Sequence, residues 1–222
     1  MADVEASHGA GFDASRASAW IEVSARLVRE AADRLTELDT AIGDGDHGRN
    51  LTRGFAAAAE NVSAAGQATP RAVLTAAGRA LISSVGGASG PLYGTFLRRA
   101  AKTLPDGPAV PPDALAGALA AGVDGIRELG GASEGDKTML DAMMPAVAAL
   151  RDALGDGTGL PDAVARAAEA ARAGAAATVP LVARKGRASY LGERSAGHED
   201  PGAASTALLW TALAEAIGTS DG

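Results

Sequence analysis

Residues 38–50 read LDTAIGDGDHGRN, and the fold turns on what lies on either side of this stretch. Its core, GDGDHG, fits the pattern G-x-G-x-x-G. A dinucleotide-binding loop of that pattern leaves a β-strand, opens a helix and offers backbone N–H groups to a pyrophosphate. The residues before this loop are not strand-like. Ala17, Trp20, Ile21, Ser24, Leu27, Val28, Ala31 and Leu35 recur at i, i+3, i+4, i+7, the period of an amphipathic helix. The x positions also carry Asp44 and Asp46, whose charge opposes a phosphate. The stretch therefore joins two helices, and the doubly wound α/β reading is rejected.

Outward from this loop the period stays helical. It predicts eight helices, over about 14–36, 48–64, 70–84, 91–102, 112–129, 137–154, 161–178 and 202–217. Thr69-Pro70, Leu160-Pro161 and Asp200-Pro201 place proline at or near a first helical position, and Asp13 or Ser15, Asp136 and Asp200 are available as caps. The segment TVPLVAR (178–184) is the best strand candidate, but it is short and has no evident partner. Aromatic residues make up 3% of the chain, so close packing of Ala-rich helices is favoured over a β-sandwich. The fold class is all-α. A disordered tail is expected over residues 1–12 and a single domain over 13–222.

Composition narrows the function. A formal charge of −7 argues against general nucleic-acid binding, which needs a basic surface. With no cysteine, disulfides and thiolate metal sites are impossible. No apolar run is long enough for a membrane span, and the acidic, polar start lacks the features of a signal peptide. A soluble cytoplasmic protein is expected.

Short loops favour helices that alternate up and down. The first, third, fifth and seventh connections then emerge at one end. They read LDTAIGDGDHG, SVGGASG, GGASEGD and ARKGRASYLGERSAGHED, rich in Gly and carrying Asp, Ser, Lys, Arg and His. The remaining three read SAAGQAT, KTLPDGPAVP and GDGTG, ordinary turn sequences. Parity alone gathers the unusual loops at one end.

Asp39, Asp44 and Asp46 dominate the first loop. Counted from Asp44, an EF-hand fails at Gly48 and Phe55, and no P-loop is present. Two carboxylates about 5 Å apart repel by roughly 3 kcal/mol at an effective dielectric near 20. Either the loop is a solvated acidic turn in which one aspartate caps the next helix, or a cation sits among the three. Mg²⁺ suits such oxygen ligands and shares its remaining positions with phosphates. The GGASG turn, with the Ser89 hydroxyl, can form a nest for an anion. Arg184, Lys185, Arg187 and Arg194 place positive charge opposite the aspartates. Arg187 is the candidate for stabilising a transferring phosphoryl group; the alternative is a surface arginine paired with Glu193 or Glu199.

Four stretches, LDTAIGDGDHGRNLTRGF, SSVGGASGPLYGTF, GDKTMLDAMMPA and RKGRASYLGERSAGHEDPGA, occur in an order that resembles the nucleotide-binding L subunits of bacterial dihydroxyacetone kinases. The equivalent C-terminal domain of one-chain kinases shows the same likeness, over roughly residues 14–217. The resemblance implies a barrel of eight antiparallel helices with ADP or ATP in the loops at one end. It implies that Asp39, Asp44 and Asp46 hold two Mg²⁺ ions that grip the phosphates. His47, Gly48, Arg49 and Asn50 would continue that contact, and Ala88 and Ser89 would approach from the second loop. Gly130 and Met139 would lie near the adenosine, and Arg187, Asp200, Pro201 and Gly202 would close the site. The family's reaction is phosphoryl transfer to dihydroxyacetone held by a separate K subunit. In some systems a phosphotransferase-system subunit rephosphorylates the bound ADP. With little sequence outside the helices, a free-standing L subunit is expected. The rival readings are a kinase module for another hydroxyketone or acyl substrate, or a non-catalytic nucleotide-dependent interaction protein.

Overall fold

The computed structural model describes residues 11–218, and it is all-helical apart from two short strands. Among the described residues the helices are α1 (Ala14–Glu30), α2 (Ala32–Ile42), α3 (His47–Ala65), α4 (Pro70–Ser84), α5 (Ser89–Thr103), α6 (Pro112–Gly130), α7 (Leu140–Gly155), α8 (Leu160–Ala177) and α9 (Pro201–Gly218). A 3₁₀ segment, Arg187–Ser195, lies between the last two. Strands β1 (Phe12–Asp13) and β2 (Ala109–Val110) pair antiparallel, Phe12 opposite Val110. The expected tail over 1–12 falls mainly outside the described residues. Within them, Phe12 is buried edge-on against Trp20.

The helix starts follow their caps. The Asp13 side chain accepts from the Arg16 N–H at 2.8 Å, and the Thr69 hydroxyl accepts from the Ala72 N–H at 3.2 Å. Proline opens α4, α6 and α9 or follows their caps, where its missing N–H costs nothing. Two expectations need correcting. The first predicted helix is two: α1 ends at Ala31, and α2 runs on past residue 36 to Ile42, so Asp39 sits in a helical turn. No Gly or Pro marks the break. Beside the break α3 comes close: a Cβ on Gly48 would lie 2.0 Å from the Ala32 carbonyl oxygen. The second correction is at 178–184, which forms no strand and follows α8 as turn and extended chain.

Packing follows chain order. From α3 to α9 each helix packs against the next, while α1 packs against both α3 and α9, so the contacts return to their start. Small residues make this possible: Ala163, Ala167, Ala171 and Ala175 form the buried stripe of α8. Trp20 anchors the closure. Its ring stacks edge-on with Phe96, and its indole N–H donates to the Leu209 carbonyl at 2.8 Å. No described helix is long and apolar enough to cross a membrane.

Candidate functional site

The four connectors that parity places together do meet. Residues from α2–α3, α4–α5, α6–α7 and α8–α9 line one cavity of about 390 Å³, and no residue of the other connectors does.

In the α2–α3 turn, Asp39 is buried and its Oδ2 accepts from the backbone N–H of Asp46 (2.9 Å) and of His47 (3.1 Å). It therefore caps α3 from the preceding helix, at the end where the helix dipole favours negative charge. Asp46, which directly precedes α3, makes no side-chain capping bond. One carboxylate oxygen from each of Asp39, Asp44 and Asp46 lies within 4.8 Å of the other two. The glycines divide the work. Gly45 takes the left-handed conformation (φ 71°), while a Cβ on Gly43 would lie 2.0 Å from Asp39 Oδ1. Three converging hard oxygens fit a divalent cation such as Mg²⁺. The Arg187 guanidinium, 3.0 Å from Asp44 Oδ2, already supplies one positive charge.

Beneath the turn lies a chain of hydroxyls. His47 Nε2 is 2.9 Å from Ser205 Oγ and its Nδ1 is 3.3 Å from Ser89 Oγ. Burial pulls the imidazole below its ordinary value despite Asp39 and Asp46 nearby, so it is neutral at pH 7. Ser205 Oγ also lies 2.7 Å from the Tyr93 hydroxyl, which is 3.1 Å from Thr206 Oγ1. Burial pushes Tyr93 up to about 12, so it keeps its proton. Ala88 and Ser89 begin α5 at the cavity, where the first N–H groups of a helix lack helical partners.

The α6–α7 connector corrects another expected cap. The predicted start at 137 is displaced to Leu140. Asp141, not Asp136, organises the turn: it accepts from the N–H groups of Gly135 (2.6 Å) and Thr138 (2.7 Å). Asp136 instead accepts from Ser133 N–H at 2.8 Å. Leu92, Ile126, Leu129, Gly130 and Met139 form an aliphatic wall of the cavity. On the last connector, Asp200 Oδ2 accepts from Ala203 N–H at 2.7 Å and caps α9. Burial pushes this carboxyl up to about 7, with Asp141 adding to the rise and Lys137 opposing it. Pro201 and Gly202 follow at the cavity.

Of the residues singled out in the sequence, Asp39, Asp44, Asp46, His47, Asn50, Ala88, Ser89, Gly130, Met139, Arg187, Asp200, Pro201 and Gly202 line the cavity. Gly48 and Arg49 do not. Gly48 faces α2, and Arg49 is exposed with its guanidinium 3.3 Å from the Gly45 carbonyl. Sequence reasoning missed Tyr93, Lys137, Asp141 and Ser205. Tyr93 and Ser205 sit one helical turn beyond Ser89 and Pro201, and that spacing is the signal that points to them. Lys137 gives no signal, since a lysine in a Gly-Asp-Lys-Thr turn reads as a surface residue.

Against known proteins, the profile of the DAK2 domain matches residues 41–215. The chain is 41% identical over 195 residues to the ADP-binding subunit DhaL of the PEP-dependent dihydroxyacetone kinase of Escherichia coli, covering 88% of this chain and 93% of that one. It is 39% identical over 213 residues to the L-erythrulose 1-kinase of Mycolicibacterium smegmatis, covering 95% of this chain and 37% of the longer one. Among solved structures it is similar to the dihydroxyacetone kinase of C. freundii in complex with AMP-PNP and Mg²⁺. There the TM-score is 0.66 and the identity 26%, over 97% of this chain and 36% of that one.

Proposed function

Because this chain belongs to the DAK2 domain family, we propose that it is the nucleotide-binding subunit of a dihydroxyacetone kinase. It carries ADP or ATP with two Mg²⁺ and acts only with a K-type subunit that holds the substrate. The observation that carries this reading is the convergence of Asp39, Asp44 and Asp46 beside Arg187, in a cavity that also has an aliphatic wall. One part suits metal-bound phosphates, the other a nucleobase. The cyclic packing of α1 and α3 through α9 supports an eight-helix barrel with α2 as an addition to its rim.

Asp39, Asp44 and Asp46 would hold the cations, which supply neutralising charge to phosphate oxygens. Ser89, the start of α5 and the neutral His47 ring offer hydrogen bonds without adding charge. Arg187, whose guanidinium reaches across the cavity to Asp44, would stabilise charge on a transferring phosphoryl group. A base for the substrate hydroxyl would then be supplied by the partner. In this scheme a phosphotransferase-system subunit could restore the bound ADP to ATP.

The test is to strip divalent metal with a chelator and follow nucleotide release by calorimetry. Asp44→Ala and Asp46→Ala should each weaken Mg–nucleotide binding by at least about a hundredfold, above the loss typical of residues that merely support a ligand. Undiminished binding in both variants would sink the metal bridge. Robust dihydroxyacetone phosphorylation by this chain alone would refute the subunit assignment. The likeness to an L-erythrulose 1-kinase favours a second reading, a module serving a longer ketose. Supplying the same chain with partners of different substrate preference separates the two.

A further inference from the structure

Lys137 is 1% exposed, yet among the described residues it has no salt-bridge partner, and it is not part of the proposed phosphate contacts. Its ammonium donates toward four main-chain carbonyls: Thr178 (2.8 Å), Val179 (3.4 Å), Leu181 (3.0 Å) and His198 (2.5 Å). Its backbone sits at φ 62°, the one non-glycine residue with positive φ among those described. Such a conformation persists only where the surroundings determine it. Two buried carboxyls, Asp141 and Asp200, lie close enough to balance its charge.

Three segments meet at this ammonium. The turn before α7 donates it. The chain after α8, residues 178–181, accepts it without any helical or strand ladder of its own. The residues before α9 accept it through His198. Further bonds join the same three: Arg184 N–H to the Asp136 carbonyl (3.0 Å), Gly197 N–H to the Val179 carbonyl (2.7 Å) and Asp200 N–H to the Thr178 hydroxyl (2.9 Å). These segments carry Met139 and run directly into Arg187 and Asp200. Carbonyl oxygens converging from several directions need a compact donor with several protons. An ammonium meets that need; a planar guanidinium does not.

We propose that Lys137 is a positioning residue for the nucleotide, whose ammonium fixes the α8–α9 connector so that Arg187 faces Asp44 and Asp200 stays at the cavity. The part concerning nucleotide rests on the function proposed above; the part concerning the connector does not. The test uses the full chain and Lys137→Met, with two independent readouts. Trypsin probes the connector without nucleotide, since Arg184, Lys185, Arg187 and Arg194 are exposed. Cleavage there should accelerate at least about tenfold in the variant, as local opening becomes easier. Mg–ADP affinity should fall at least about tenfold, while Mn²⁺ binding to the aspartates without nucleotide, read by electron paramagnetic resonance, and helical circular dichroism stay as in the wild type.

Cleavage and Mg–ADP affinity both within about twofold of wild type would overturn the proposal. Loss of Mn²⁺ binding and helicity in the variant would overturn it too, by assigning Lys137 to the fold as a whole. Thr178→Val, which keeps the ammonium but removes the hydroxyl that receives Asp200 N–H, should accelerate cleavage in the same direction by less; slower cleavage than wild type would count against the pinned connector. A wild-type chain that binds no Mg–ADP refutes the nucleotide reading, and trypsin alone then decides whether Lys137 holds the connector.

Discussion

The two sides of the cavity are built by opposite means. On one side, the α2–α3 turn is short and is fixed by the helices it joins: Asp39 in the last turn of α2 caps the first turn of α3. On the other, the α8–α9 connector is long, contains one irregular 3₁₀ segment broken at Gly192, and is fixed by buried polar side chains. Lys137, Thr178 and Ser195 reach its backbone, Ser195 accepting from Ala183 N–H at 2.8 Å. A short turn can borrow order from regular structure. A long one must satisfy its own backbone groups or remain hydrated and mobile.

The comparison can be broken at several points. The largest effect is expected at Arg187, which reaches from the connector to the turn. If the proposed function holds, Arg187→Ala should lower phosphoryl transfer by about a thousandfold, the low end of what an arginine at such a transition state supplies. Mn²⁺ binding to the aspartates should hardly change, and steady-state rates with a partner beside metal titrations of the lone subunit check the pair of outcomes.

The next effect is the response to pH, which should have opposite signs on the two sides. Asp200, at the end of the connector, is raised from 3.8 to about 7 in the folded protein. Between those values the folded state keeps a proton that the unfolded chain has lost. Its contribution is therefore complete below pH 3.8 and lost as pH rises toward 7, by on the order of a few kcal/mol. His47, beside the turn, is lowered from 6.5, so the unfolded chain binds the extra proton and stability falls as pH drops below 6.5. Urea unfolding of metal-free protein should show Asp200→Asn removing the first slope and leaving the second.

The smallest effect separates the aspartates from one another. Asp39→Ala should cost the metal-free protein about 1 kcal/mol through the lost cap of α3. Asp44→Ala should cost it less than about 0.5 kcal/mol, because the side chain is partly exposed and caps nothing. Equal losses in thermal unfolding would mean that Asp39 has no separate structural part.

What the sequence disclosed follows the same division. Helical period, capping residues and Gly-rich loops located α3 to α9 within a few residues, and loop parity brought the aspartates, GGASG and Arg187 to one end. Those signals are local or depend on connectivity alone. The break at Ala31 was invisible because no Gly or Pro stands there to mark it. Lys137 was invisible because its acceptors lie 41 to 61 residues away and are carbonyls, which every residue carries. The β1–β2 pair was missed because two-residue strands have no period to read. Asp39 shows the limit of choosing between bland and functional roles: it is a helix cap and a candidate metal ligand at once.

The position of α9 in the packing order has a consequence for biosynthesis. The helix that reaches α1 last in the chain also brings Ser205 to His47 and the Pro201-Gly202 edge to the cavity. On a ribosome the aspartate turn therefore emerges well before the partner that seats its histidine, and domains of this size complete such distant contacts late. A nascent chain has acid at the turn but no finished socket around it. A chain cut before Pro201 thus keeps the three aspartates but lacks the serine that meets their histidine and one edge of the cavity.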